Sequence, residues 1–334
     1  ISEVTLPNGQ AYRFRYTAYG DLARVELPTG DAFEYDYQTL VGFSGNQPYS
    51  YVIQRYVIAK RVYASAGSPT PDQEILYSGS LNSPRTAAYS DGSLEKHYFQ
   101  PYNPGPQLDG TAYNDWREGR ETQVEYFDAN GTTLLKTEQS AHQQRPCSGP
   151  TCWFNEPSYN GPVPAHDPRL AAKTLTLGSL TSRETYAYDQ YNNRTEVAEY
   201  GYGSGGPGPL ARRTTTTYVT LAEYLNAHIL DLPETETVRD GSGNQAAQTV
   251  RSYDQTAPSD APGILQHDTG FGPGYTTRGN ATRVSRWLYD PIAQTTRWLE
   301  TNYEYDIAGN ITRVTEPRGV RADFDYSTGD ARGT

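Results

Sequence analysis

The chain has 334 residues, with 28 Lys and Arg against 39 Asp and Glu and a formal net charge of −11. That balance argues against nucleic acid or an anionic membrane as the main partner, since either requires a basic face. Hydrophobic residues make up 35%, with 29 Tyr against only 8 Phe, so the packed faces are expected to be thin, with rings lying on a sheet whose outer layer stays wet.

In chain order, the first elements are short strands. Tyr12, Phe14 and Tyr16 alternate with Arg13 and Arg15, and Phe33, Tyr35 and Tyr37 alternate with Glu34 and Asp36. Period-two alternation of aromatic and charged residues describes a strand with one packed and one solvated face. Leu6-Pro7-Asn8-Gly9 and Leu27-Pro28-Thr29-Gly30 supply tight turns between them, with the positive φ that hairpins require. Strand, turn, strand, turn predicts an antiparallel meander. In that meander Arg13 and Arg15 lie near Arg24 and Glu26, and these near Glu34 and Asp36, where opposite charges contribute roughly 0.2–1 kcal/mol per pair.

Four Pro/Gly-rich stretches interrupt the pattern, at about 65–72, 143–168, 201–209 and 257–274. They are expected as loop insertions, the third as a flexible run. The second contains Cys147 and Cys152, which can close a small disulfide loop in an oxidising compartment or remain as two thiols. One helix is predicted, with Thr220 as N-cap, Glu223 completing a capping box, and Leu221, Tyr224, Leu225, His228 and Ile229 on its apolar face. Pro233 stops it.

A repeat organises the chain. Placing Gly20 on Gly309 aligns Phe14 and Tyr16 with Tyr303 and Tyr305, Arg24-Val25 with Arg313-Val314, Pro28 with Pro317, Gly30 with Gly319, and Tyr37 with Tyr326. The turn recurs at Asp128-Ala-Asn-Gly131, Tyr188-Asp189-Gln-Tyr-Asn192-Asn193, Asp240-Gly-Ser-Gly243-Asn244 and Arg278-Gly279-Asn280. The pattern predicts a left-handed backbone at Gly20, Gly131, Asn192, Gly243, Gly279 and Gly309. Asp189 and Asp306 then act as turn caps in preference to paired catalytic acids. The sequons beginning at Asn130, Asn193, Asn280 and Asn310 fall at the same turn, and a turn Asn followed by a strand Thr accounts for them without sugar.

Tyr303-Glu-Tyr305-Asp306-Ile-Ala-Gly309-Asn310-Ile-Thr-Arg-Val, followed by Pro317-Arg-Gly319, resembles the YD repeat of bacterial RHS proteins, which are related to Tc-toxin C components and teneurins. The likeness is strong at both ends and patchy between. It implies an all-β fold, antiparallel hairpins wound as a spiral or shell segment, running through 1–334 as one continuous array within a larger protein. It further implies a secreted or cell-surface location and, as partners, the rest of the parent chain, further copies, or an enclosed toxin domain. The family's self-cleavage motif, Asp-Pro-x-Gly, is absent, because Asp290-Pro291 and Asp167-Pro168 lack the following Gly.

No cofactor or metal site is expected. His97, His142, His166, His228 and His267 share no ligand spacing, and no phosphate loop or nucleophile elbow occurs. No transmembrane run or leading apolar segment is seen, so membrane insertion is not expected and any secretion signal lies upstream. Trp116, Trp153, Trp287 and Trp298 could stack on carbohydrate, but cross-strand packing is favoured for Trp287 and Trp298. The functional expectation is a non-catalytic structural module. An adhesin or self-assembling filament subunit is the alternative, and a polysaccharide-acting enzyme follows behind both.

Overall fold

The computed structural model describes residues 1–43, 50–79, 84–101, 116–117, 119–145, 167–261, 263–264 and 267–326. Cys147, Cys152, Trp153 and His166, and with them the expected disulfide, lie outside the described residues. The fold is all-β, an antiparallel meander as expected, in two compact units, 1–180 and 181–334.

In the first unit the strands are β1 (Glu3–Thr5), β2 (Ala11–Tyr16), β3 (Leu22–Glu26), β4 (Ala32–Phe43), β5 (Ser50–Tyr63), β6 (Gln73–Ser78), β7 (Arg85–Tyr89), β8 (Leu94–Phe99), β9 (Glu121–Phe127), β10 (Leu134–Gln144) and β11 (Pro168–Leu177). Each pairs antiparallel with the next. Burial centres on small residues, Ala32, Ala59, Ala87 and Ala172, with Tyr63, Ile75 and Val124. No described large side chain is fully enclosed, which fits the thin packing that the Tyr-rich composition predicts.

The second unit begins in β12 (Leu180–Tyr188) and continues through β13 (Arg194–Ser204), β14 (Leu210–Tyr218), a short helix α1 (Ala222–Asn226), β15 (Pro233–Asp240) and β16 (Gln245–Tyr253). A 3₁₀ turn (Thr269–Phe271) precedes β17 (Ala281–Asp290), β18 (Thr295–Tyr305), β19 (Ile311–Thr315) and β20 (Arg321–Asp323). From β13 to β20 each strand again pairs antiparallel with its successor.

The aligned sequence copies share one register. Phe14 faces Val25, Arg15 faces Arg24, and a bulge then places Tyr16 opposite Leu22. In the second unit Tyr303 faces Val314, Glu304 faces Arg313, and the same bulge places Tyr305 opposite Ile311. The charge ladder follows that register. Arg24 holds Glu34 at 2.9 Å and Glu26 at 3.2 Å, and Arg61 continues the row to Asp36 and Glu74 at 2.6 and 2.8 Å. Arg313, the counterpart of Arg24, reaches Asp323 at 2.5 Å and Glu304 at 3.2 Å.

Three local features differ from the sequence expectation. The helix N-cap is Leu221, and no side chain caps it. The N–H of Val219 bonds Leu232 O at 2.9 Å, which carries the β14–β15 pairing past Tyr218 and delays the first helical turn beyond Thr220. His228 is exposed and sits just past the helix at φ 57 instead of packing on its apolar face. The Gly/Pro run at 201–209 is a closed hairpin, with β13 extending through Ser204 and β14 starting at Leu210. Its glycines permit close backbone contact, since a Cβ on Gly203 or Gly208 would come within 2.6 Å of the opposing carbonyl.

Candidate functional site

The recurring feature is one turn, built the same way many times. In each, residue i donates its N–H to the carbonyl of i+4, and i+3 donates back to the carbonyl of i. Among the described residues this wiring begins at Leu6, Thr17, Leu27, Tyr89, Asp189, Asp240, Asp306 and Glu316. Residue i+3 is Gly9, Gly20, Gly30, Gly92, Asn192, Gly243, Gly309 or Gly319, with φ between 74 and 97 throughout. This is a three-residue hairpin loop whose last member is left-handed, a conformation open to Gly and next to Asn.

The aspartates cap these turns from within. Asp306 is 4% exposed. One carboxylate oxygen accepts the N–H groups of Ala308 and Asn310, both at 2.9 Å, and the other accepts the Asn310 side-chain amide at 2.9 Å. Asp189 makes the same three bonds with Tyr191 and Asn193, and Asp240 with Ser242 and Asn244. At Asp240 the Asn244 amide, followed by the Asn244 N–H, holds the carboxyl below its ordinary value. The first copy inverts the chemistry, because Thr17 accepts from Tyr19 and Asp21 while its hydroxyl donates to the Asp21 carboxylate. At Asp128 the loop is one residue longer, and Asn130 provides a second cap while Gly131 keeps φ 68.

One turn is split. Gly279 has φ 76 and Asn280 follows it, but the acid that caps them is Asp254, far earlier in the chain. Asp254 accepts the N–H groups of Arg278, Gly279 and Asn280 at 2.8, 2.7 and 3.0 Å, and its own N–H bonds Asn280 O at 2.9 Å. Residues 255–276 are therefore inserted within a single turn. The Tyr224 hydroxyl also donates to Asp254 at 3.0 Å, and burial first, then that carboxylate, pushes the phenol pKa up. Arg278 pins the insertion by donating to the carbonyls of Tyr275, Gly272, Phe271 and Ile307. Around it lies an open hollow of about 320 Å³, lined by Ile229, Phe271, Tyr275, Arg278 and Ile307.

The tyrosines have a second use beyond packing. Tyr16, Tyr37, Tyr218, Tyr253, Tyr305 and Tyr326 donate their hydroxyls to the carbonyls of Ile1, Leu22, Arg194, Pro233, Ala281 and Ile311, at 2.8–3.2 Å. Five of these rings stand at or just past the end of a strand and Tyr37 stands midway along β4, and each closes on a carbonyl at or near the start of the strand before it. Phe cannot make this bond, which supplies a physical reason for the excess of Tyr. Burial raises the phenol pKa at Tyr37, Tyr218, Tyr253 and Tyr305.

Gly20, Asn192, Gly243 and Gly309 thus occupy the same place in their own hairpins, Gly131 sits in a loop one residue longer and Gly279 in the split turn, and Asp189 and Asp306 each serve their own turn. Sequence reading missed Asp254 and the hydroxyl clamp. The signals were present: Tyr253-Asp254 is a YD pair without its Gly-Asn, and Gly279-Asn280 is the reverse. Asp290 caps the β17–β18 turn through Ile292 and Ala293, and Asp167 pairs with Arg145 at 2.5 Å. Trp287 faces Trp298 across its hairpin, as cross-strand packing predicts. His97 lies between Glu121 and Glu95 at 2.7 and 3.2 Å, and no cluster of three metal-ligating residues occurs among the described residues.

Fold and turn together define a β-meander repeat protein. No family model and no curated protein matches the chain. Solved structures similar to it include a porin-like protein from Bacteroides uniformis, at 11% identity and TM-score 0.28, covering 92% of this chain and 93% of that one. A TcdB2-TccC3 structure matches at 12% identity and TM-score 0.22, covering 97% of this chain and 16% of that one. A TcdB2-TccC3-TEV structure matches at 9% identity and TM-score 0.21, covering 94% and 15%. This chain spans about a sixth of the length of the latter two.

Proposed function

We propose that the chain is a non-catalytic segment of a YD-repeat array in a secreted or surface bacterial protein. In this reading it contributes to a β-shell that encloses or presents a toxin or effector domain. The observation that carries the proposal is the use of the repeat's carboxylates. Asp189, Asp240, Asp254 and Asp306 are engaged by backbone N–H groups and turn amides, so the most regular chemistry in the chain serves the backbone. An array that holds its shape through turn caps and hydroxyl clamps suits a container or scaffold, since each unit needs only its neighbours. Its partners are then the remainder of its own polypeptide, further copies and an enclosed domain, with no cofactor.

The test is limited proteolysis of the polypeptide that carries this chain, before and after denaturation. A shell predicts a linked segment that resists cleavage until the array is unfolded. Equal cleavage of that segment in both states contradicts enclosure and favours an adhesin or filament. Glycan hydrolysis abolished by Asp306→Asn with the fold intact would contradict the non-catalytic reading altogether.

A further inference from the structure

The β17–β18 hairpin reaches beyond its neighbours. β16 pairs with β17 only as far as Arg286, and β19 pairs with β18 only from Asn302 onward. Between these limits the two strands pair with each other alone, from Trp287 opposite Trp298 to Asp290 opposite Thr295. Residues 295–301 of β18 therefore present an outer edge with no ladder partner among the described residues. Seven residues of open edge match a whole ordinary strand, about 5–6 residues. An isolated two-stranded ribbon is marginal in water, and an open edge is a template for another strand.

The side chains on this arm are not those of a protected edge. Trp298 is 44% exposed, Tyr289 48% and Ile292 at the tip 95%. Pairing places Trp287, Tyr289, Thr296 and Trp298 on one face, where the Trp287 and Tyr289 rings lie nearly parallel, 6.3 Å apart. Edge strands that avoid association carry charged side chains, Lys above all, or Pro. The open stretch Thr295-Thr-Arg-Trp-Leu-Glu-Thr301 has neither Lys nor Pro, and its two charges, Arg297 and Glu300, are of opposite sign.

We propose that this edge is a self-association site whose partner is β18 of a second copy of the chain, added antiparallel about a two-fold axis at Trp298. The open edge runs from 295 to 301, and Trp298 is its midpoint, so this register alone pairs the full edge with itself. Thr295 then meets Thr301 of the second copy, Thr296 meets Glu300, Arg297 meets Leu299, and Trp298 meets Trp298. Because Trp287 already faces Trp298 within each hairpin, the result is a row of four indoles across four strands. Cross-strand aromatic pairs stabilise sheets. On the opposite face the row reads Leu288, Arg297, Leu299, Arg286, with no like charges directly opposed. A symmetric, self-complementary contact of this kind closes as a dimer.

Sedimentation velocity of the intact chain across a concentration series tests it. A doubled mass that appears with concentration is expected, and Trp298→Arg should abolish it while the circular dichroism spectrum is unchanged. Register is tested by single cysteines in a Cys147→Ser, Cys152→Ser background. Directly opposed residues have Cα atoms about 4.5–5.5 Å apart, within disulfide reach, so Trp298→Cys should cross-link two chains under mild oxidation. Ile292→Cys, more exposed but off the axis, should not. A monomer at every concentration, a dimer indifferent to Trp298→Arg, or equal cross-linking at 292 and 298 overturns the proposal. A monomer whose tryptophan fluorescence responds to neutral oligosaccharides overturns it in favour of a carbohydrate platform.

Discussion

Two glycines with the same backbone conformation separate turn geometry from close packing. Gly309 has φ 84 and Gly92 has φ 91, each at the left-handed position of its turn. A Cβ at Gly309 would meet nothing within 4 Å, whereas one at Gly92 would lie 2.1 Å from the carbonyl oxygen of Ala129. Asn is the natural probe, because Asn192 holds the equivalent place at φ 74. Gly309→Asn is expected to cost at most about 1 kcal/mol, the mild strain of Asn in the left-handed region. Gly309→Val should cost about 1–3 kcal/mol, since a β-branched residue is poorly tolerated there. Gly92→Asn carries the same dihedral strain plus a backbone clash that only moving the β9–β10 turn relieves, so at least about 3 kcal/mol is expected. The gap of about 2 kcal/mol corresponds to roughly 30-fold in the opening equilibrium. Amide hydrogen exchange of the two hairpins measures it locally, which suits a repeat chain that need not unfold in one step. Equal costs at the two sites would refute the view that Gly309 is chosen for its dihedral alone.

The remaining predictions concern the cap, the clamp and acid. Asp306→Ala leaves the N–H groups of Ala308 and Asn310 and the Asn310 amide without their acceptor, at a cost of about 2–3 kcal/mol. Asp306→Asn should cost clearly less, because one amide oxygen still serves both N–H groups, and exchange in the β18–β19 hairpin ranks the two. Tyr305→Phe removes the bond to Ala281 O and should cost about 1 kcal/mol, read as faster exchange at the start of β17. Asp240 has a folded pKa below its ordinary 3.8, held there first by the Asn244 amide. A depressed carboxyl contributes stability above the unfolded value that is lost as pH falls through the folded one, so the β15–β16 turn should loosen below 3.8. Nuclear magnetic resonance titration of the Ser242 to Asn244 amides detects this, and Asp240→Asn should remove the transition.

How much was legible in the sequence depended on how local the cause was. The alternation at Tyr12 to Tyr16 and Phe33 to Tyr37 encodes strand and face directly, and Arg24 beside Glu34 follows from register. Gly309 and Asn192 marked the turn because positive φ restricts residue type. The helix start was missed because Val219 is claimed by Leu232, a contact outside the local pattern. The 201–209 run has the composition of a flexible linker, yet Gly203 and Gly208 are there for close backbone approach. Asp254 escaped because its partners lie beyond an insertion, and a turn read as contiguous residues cannot reveal one that is split. The hydroxyl clamps were hidden in a composition anomaly, 29 Tyr against 8 Phe, whose positions mattered more than its size.

The claim that a single capped turn builds this chain is tested most directly at the split copy. Removing residues 255–276 joins Tyr253-Asp254 to Thr277-Arg278-Gly279-Asn280, which restores the spacing of Tyr305-Asp306-Ile-Ala-Gly309-Asn310. Amide hydrogen exchange of that shortened chain should show β16 and β17 still protected at Val250, Ser252, Arg283 and Ser285, with Asp254 capping an ordinary turn. Loss of protection across both strands would contradict the account, because it would mean that the insertion holds the sheet together and the turn does not.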